Sequence, residues 1–159
     1  TMGASGDGGP AREARLSSPA AVVVGAGGEV VIADFGNHRV RAIDPETGII
    51  ETIAGTGEAT GEGALPFPTD VVLLGDGSFL VASWSPGQIF QYFANGTRRL
   101  VAGSGVSACD DDVVADPSGA TLRLPRGLEL RRDGVLMISE QGCHRIRRLS
   151  DAGLSTYAG

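Results

Sequence analysis

Apolar residues in this chain fall into short runs of about five or six, and the runs recur in the same order three times. Pro19, Pro68 and Pro125 open the first run of each unit, reading PAAVVV, PTDVVL and PRGLEL. A glycine turn and a second run follow: EVVIAD, SFLVAS and VLMISE, ending on Asp34, Ser83 and Glu140. Each unit closes on Ala-Gly, at Ala54-Gly55, Ala102-Gly103 and Ala158-Gly159. Valine, isoleucine and phenylalanine between Gly, Asp and Asn punctuation predict strands, four to a unit. In the first unit they fall at about 20–25, 29–34, 38–44 and 49–54. Gly27-Gly28, Asp76-Gly77 and Asp133-Gly134 mark the first turns; Asn95-Gly96 reads as a type I′ hairpin turn, though with Thr97 it also spells a glycosylation acceptor. In the third strands the apolar positions lie three apart (Val40 and Ile43, Ile89 and Tyr92, Ile146 and Leu149), which predicts a bulge there.

Units of about fifty residues, each four short antiparallel strands, describe an all-β β-propeller, here of three blades. A solenoid would be built on parallel strands or helices, which fits tight hairpins less well. The expected blades are about 1–57, 58–105 and 106–159, one propeller segment in all. The stretches GEVVIADFGNHRVRAID, closing on ETIAG, and GVLMISEQGCHRIRRLS, closing on STYAG, resemble NHL repeats. The lead-in GDGGPAREARLSSP is similar to the linker of bacterial NHL arrays. Unit two departs from the pattern, with SWSPGQIF where unit one has ADFGNHRV. The resemblance implies a propeller of six blades, sometimes five, so three are half a ring. Two uncovered blade faces mark an interface, to be met by a second copy in a homodimer or by further blades of a longer parent. Thr1-Met2-Gly3 reads as the continuation of a preceding Ala-Gly, a cut at a blade boundary.

The chain has 159 residues, 42% of them apolar, and no apolar run approaches the ~20 residues of a spanning helix, so no membrane insertion is expected. Net charge is −6, which disfavours nucleic-acid binding. Lysine is absent, and arginine gathers in unit three (Arg123, Arg126, Arg131, Arg132, Arg145, Arg147, Arg148). Eight aromatic residues in all make stacking on single strands a poor prospect.

Asp34 with Arg39, and Glu140 with Arg145, hold equivalent places; unit two replaces both members at once, with Ser83 and Gln88. That joint loss predicts structural ion pairs rather than catalytic carboxylates. His38 and His144 are equivalent, and one imidazole per blade is a weak metal signal; the resemblance makes the position part of the repeat framework. Cys143 stands where unit one has Asn37, and Cys109 lies in the long loop before unit three, which predicts a disulfide and hence an oxidising, extracellular or periplasmic setting. Asp110, Asp111, Asp112 and Asp116 share that loop; their spacing does not match an EF-hand, so a solvated acidic loop is expected rather than calcium, and no cofactor or metal. The segments between strands two and three offer a binding rim: Phe35, Asn37, His38, Trp84, Gln141 and His144. Trp84, the one tryptophan, would anchor a protein or carbohydrate ligand. The reading is a non-enzymatic scaffold. The alternative is a metal-dependent hydrolase or lyase of the six-bladed type, which the fold class does not separate from it.

Overall fold

The computed structural model describes residues 5–109 and 112–159. Its strands are β1 (Gly9–Pro10), β2 (Pro19–Val24), β3 (Val30–Asp34), β4 (Arg39–Ile43), β5 (Ile49–Ala54), β6 (Pro68–Leu73), β7 (Phe79–Ser83), β8 (Gln88–Tyr92), β9 (Arg98–Ala102), β10 (Val113–Val114), β11 (Pro125–Leu130), β12 (Leu136–Glu140), β13 (Arg145–Ser150) and β14 (Gly153–Ala158). Consecutive long strands pair antiparallel into three meanders, β2-β3-β4-β5, β6-β7-β8-β9 and β11-β12-β13-β14. Two meanders gain a fifth, two-residue strand from their lead-ins, β1 beside β5 and β10 beside β14. The segments before β2 and β11 are therefore part of their sheets rather than free linkers.

The blades stack face to face. Val31, Ala33, Val40 and Ala54 of the first meet Val71, Phe79, Val81, Phe90 and Tyr92 of the second. Leu80, Ala82, Ile89 and Ala102 of the second meet Leu128, Leu136, Ile138 and Leu154 of the third. Alternation along each strand sends every other side chain to opposite faces, so a middle blade needs apolar residues on both. β7 meets that demand, with all five of its residues buried.

Each blade carries two bulges, and neither lies in the third strand. Val40 pairs with Ala54 and Arg41 with Thr52, which leaves Ile53 of β5 as the extra residue. Val101 and Tyr157 take the same place in β9 and β14. A second bulge sits at the start of β2, β6 and β11, where the register slips between Pro19 and Ala21, Pro68 and Asp70, and Pro125 and Gly127. The apolar spacing of three in the third strands has another cause: β4 buries Val40 on one face and Arg41 on the other, so both faces are covered.

The Asn95-Gly96 turn is not type I′. Gly96 N–H donates to Phe93 C=O, and Gly96, but not Asn95, has a positive φ. Asn95 Oδ1 accepts from Thr97 N–H at 3.0 Å. This is a type I turn ending on a left-handed glycine, repeated at Gly77 and Gly134. The closing Ala-Gly has an equally local cause: Gly55, Gly103 and Gly159 have φ of +85°, +97° and +123°, and a Cβ on each would strike the carbonyl of residue 38, 87 or 144.

Candidate functional site

The start of strand one, the loop between strands two and three, and the end of strand four meet at one end of each blade. In blades one and three that loop is a single 3-10 turn, Phe35–Asn37 and Gln141–Cys143, ended by a histidine in the left-handed conformation. Blade two places Gly87 there, after a cis Ser85–Pro86 bond.

The carboxylates beside these turns serve the backbone. Asp34, fully buried, accepts from Ser17 N–H and from Asn37 Nδ2, both at 2.7 Å. Glu140 accepts from Arg123 N–H at 2.7 Å, the same contact in blade three, two repeats later. In blade two the corresponding residue is Pro66, which has no N–H, and Ser83 donates its hydroxyl to Pro66 C=O at 2.6 Å. An acid stands where the lead-in offers a donor, and a hydroxyl where it offers an acceptor.

The expected Asp34–Arg39 ion pair is therefore a correction. The two are cross-strand neighbours, but Arg39 turns to Asp7 at 3.4 Å and to Thr56 C=O at 3.1 Å, because Asp34 is already engaged by Ser17 and Asn37. In blade three Glu140 Oε2 accepts from Arg145 Nε at 2.7 Å, both side chains nearly buried. A different acid–arginine anchor appears in blade one. Arg41, with no exposed side-chain surface, binds Asp7 through Nε at 3.0 Å, and Asp7 also accepts from Thr52 at 2.7 Å. Asp112 accepts from Thr156 at 3.0 Å in the matching place of blade three. Burial alone raises the Asp7 pKa; the Thr52 hydroxyl, the Arg41 guanidinium and the charge of Arg39 together hold it below 3.8.

Asp110 and Asp111 of the acidic loop lie outside the described residues. Asp116 caps a 3-10 turn, accepting from Ser118 N–H and hydroxyl at 3.0 and 2.7 Å. Cys109 and Cys143 are disulfide-bonded, with Cα atoms 5.7 Å apart, tying that loop to the turn of blade three. Among the described residues no three His, Cys, Asp or Glu side chains gather as a metal site, and no helix is long and apolar enough to cross a membrane.

The rim residues are only partly brought together. Phe35 of blade one and Trp84 of blade two converge, with ring centroids 6.1 Å apart. Phe67 lies between them, 5.2 Å from Phe35 and 6.3 Å from Trp84. His38 packs edge-on against Phe67 at 4.5 Å, and its Nδ1 accepts from Phe67 N–H at 3.1 Å, which puts the neutral ring's proton on Nε2. Trp84 is half-buried, and Asn37 is buried under the turn. Gln141 and His144 stand exposed on blade three, away from the cluster. Phe67 escaped the sequence reading; the signal was an aromatic between two prolines, in Pro66-Phe67-Pro68, aligned with Leu124 before Pro125.

Three face-packed, four-stranded meanders define a partial β-propeller. Residues 16–43, within the first blade, match the model of the NHL repeat. No curated relative matches the chain. Among solved structures it is similar to a protein of unknown function from Bacteroides thetaiotaomicron (TM-score 0.72, 19% identity, 90% of this chain and 36% of that one). It is also similar to virginiamycin B lyase from Staphylococcus aureus (TM-score 0.57, 18% identity, 89% and 41%). A third is a gluconolactonase from Xanthomonas campestris (TM-score 0.60, 18% identity, 84% and 44%). The chain spans less than half the length of each of these.

Proposed function

We propose that this chain supplies three blades of an NHL-type propeller that serves as a non-enzymatic binding scaffold, in an oxidising compartment outside the cytoplasm. The ring is completed by further blades, from a second copy or a longer parent. The ligand, a protein or a carbohydrate, docks at the rim over Phe35, Phe67 and Trp84. One observation carries the docking site: three aromatic rings from two blades converge at a seam. Half-buried rings on fixed loops give contact area at little entropic cost. The disulfide carries the compartment.

Trp84 is the only tryptophan, so its emission reports directly on the site. Titration with oligosaccharides and with extended peptides should give a saturable change for one class. A ligand that binds Trp84→Ala as tightly as the wild type contradicts the docking site. The enzymatic alternative draws on the lyase and gluconolactonase among the neighbours. Elemental analysis of the purified protein tests it: stoichiometric calcium or zinc would favour the enzyme over the scaffold.

A further inference from the structure

The two junctions inside the chain are built differently. At the first, His38 reaches across the seam, and its Nδ1 accepts the N–H of Phe67, the residue before the next blade's opening proline. At the second, Gly87 takes the histidine's place, and its Cα lies so close to Leu122 C=O that a Cβ would strike it. A left-handed residue at this corner thus either latches the next blade through an imidazole or lets the backbones touch.

Blade three ends on the histidine type. His144 has φ 54° and ψ 39°, against 55° and 42° for His38, after an equivalent 3-10 turn. Its N–H closes that turn on Gln141 C=O at 3.4 Å, as His38 does on Phe35 C=O at 3.3 Å. His144 is exposed, on a face that no blade of this chain covers.

The matching half is present on blade one. Each first strand is entered through Leu-x-x-Pro, at Leu16, Leu65 and Leu122. Leu65 and Leu122 are fully buried between blades, whereas Leu16 is 41% exposed. Val71 and Leu128 are 2% and 7% exposed, whereas Val22, their equivalent, is 65% exposed. Ser18 has φ 48°, beside 50° for Phe67 and 53° for Leu124, so its N–H is held in the same backbone conformation as the donor that His38 engages.

We propose that blade one of a second copy of this chain covers blade three, with His144 Nδ1 accepting the N–H of the partner's Ser18. This deepens the ring-completion reading and rests on it. Continuity with the first junction supplies the geometry. Under two-fold symmetry each copy's third blade meets the other's first, both seams are alike, and two latches form. The composition of the third blade's open face favours a separate chain. It keeps Met137 and Ile146, but carries Glu129, Ser139 and Arg148 where blade one buries or half-buries Val23, Ala33 and Ala42. A non-obligate interface is about as apolar as the rest of a protein's surface, so these polar positions fit a face that pairs between separate chains.

The test is sedimentation velocity of the full chain over a concentration series, for the wild type, His144→Gly and Val22→Asp. Glycine suits the left-handed backbone and is what blade two uses. The wild type should form a dimer of twice 16.2 kDa. Val22→Asp should be monomeric. His144→Gly should dimerise with a dissociation constant raised roughly tenfold or more, from two lost hydrogen bonds. Wild type at 16.2 kDa throughout, Val22→Asp dimerising like the wild type, or His144→Gly associating unchanged would each overturn the proposal. Two copies joined head to tail in one polypeptide separate it from the reading beneath. If that fusion resists urea far better than the single chain while separate chains stay apart, the ring stands and the second copy does not; if it gains nothing, both fall.

Discussion

Asp34 and Arg39 offer a sharp test of what holds the corner of a blade, because blade three supplies an internal control. Asp34 binds two donors, the Ser17 N–H and the Asn37 amide, all three residues being buried. Asp34→Ala strands both donors at about 1–3 kcal/mol each, for a loss of about 2–6 kcal/mol. Arg39 keeps 23% of its side chain in water and meets Asp7 only at 3.4 Å. Arg39→Gln, the residue blade two carries, should therefore cost no more than about 1 kcal/mol. The double-mutant coupling between them should stay within about 0.5 kcal/mol. Glu140 and Arg145 are joined at 2.7 Å with side chains 0% and 9% exposed, and buried Arg147 lies 3.6 Å from the same carboxylate oxygen and keeps Glu140 paired, so Arg145→Gln should cost about 1.5–3 kcal/mol and couple to Glu140 by more than about 1 kcal/mol. Urea unfolding monitored by Trp84 emission gives all six variants, provided the m-values agree. A blade-one coupling as large as that of blade three would refute the assignment of Asp34 to the backbone.

Three further outcomes follow from the same contacts. Asp7 and Asp70 should tilt stability against pH in opposite directions. Asp7 titrates below 3.8 when folded, so its contribution is present above that value and drains as pH falls through the folded pKa; Asp7→Asn should flatten the acid limb of a stability–pH curve. Burial raises Asp70, against the pull of the Leu128 and Val71 N–H groups and with help from Glu129. Its contribution is full below 3.8 and is lost as pH rises through the folded pKa, a loss that Asp70→Asn should remove. Reducing Cys109–Cys143, which closes a loop of 34 residues, should lower stability by about 3–4 kcal/mol, measured by urea unfolding with and without reductant. Leu65→Ala should cost about 2–5 kcal/mol at any protein concentration, whereas Leu16→Ala should approach that cost only where the ring is closed, as calorimetry over a dilution series would show.

The strands were legible because their pattern is local: a proline, an apolar run, a glycine turn and a second run place β2 and β3 within a residue or two of expectation. The disulfide was legible because blade three could be compared with blade one at Asn37. The bulges were not. An apolar spacing of three says that both faces of β4 are covered, and the register that decides where the extra residue goes is set by the partner strand. The role of Asp34 was half-legible. Acid and arginine vary together along the repeats, but the acid also varies with Pro66, and only the closing of the lead-in onto the turn shows that the backbone is its partner. The Asp7–Arg41 anchor joins residues 34 apart across a β-sheet edge, with no spacing in the chain to announce it. The aromatic seam formed because stacking of the blades brought Phe67 between Phe35 and Trp84.

The central claim is that a second copy of this chain covers the two open blade faces and closes the ring. Small-angle X-ray scattering on the 159-residue chain, from dilute to concentrated, tests it most directly, since mass and shape come from one curve. A closed ring predicts a flat, compact disc of twice 16.2 kDa at every concentration above the dissociation constant. A particle of 16.2 kDa with the profile of a half ring, stable and monodisperse at every concentration, would contradict it.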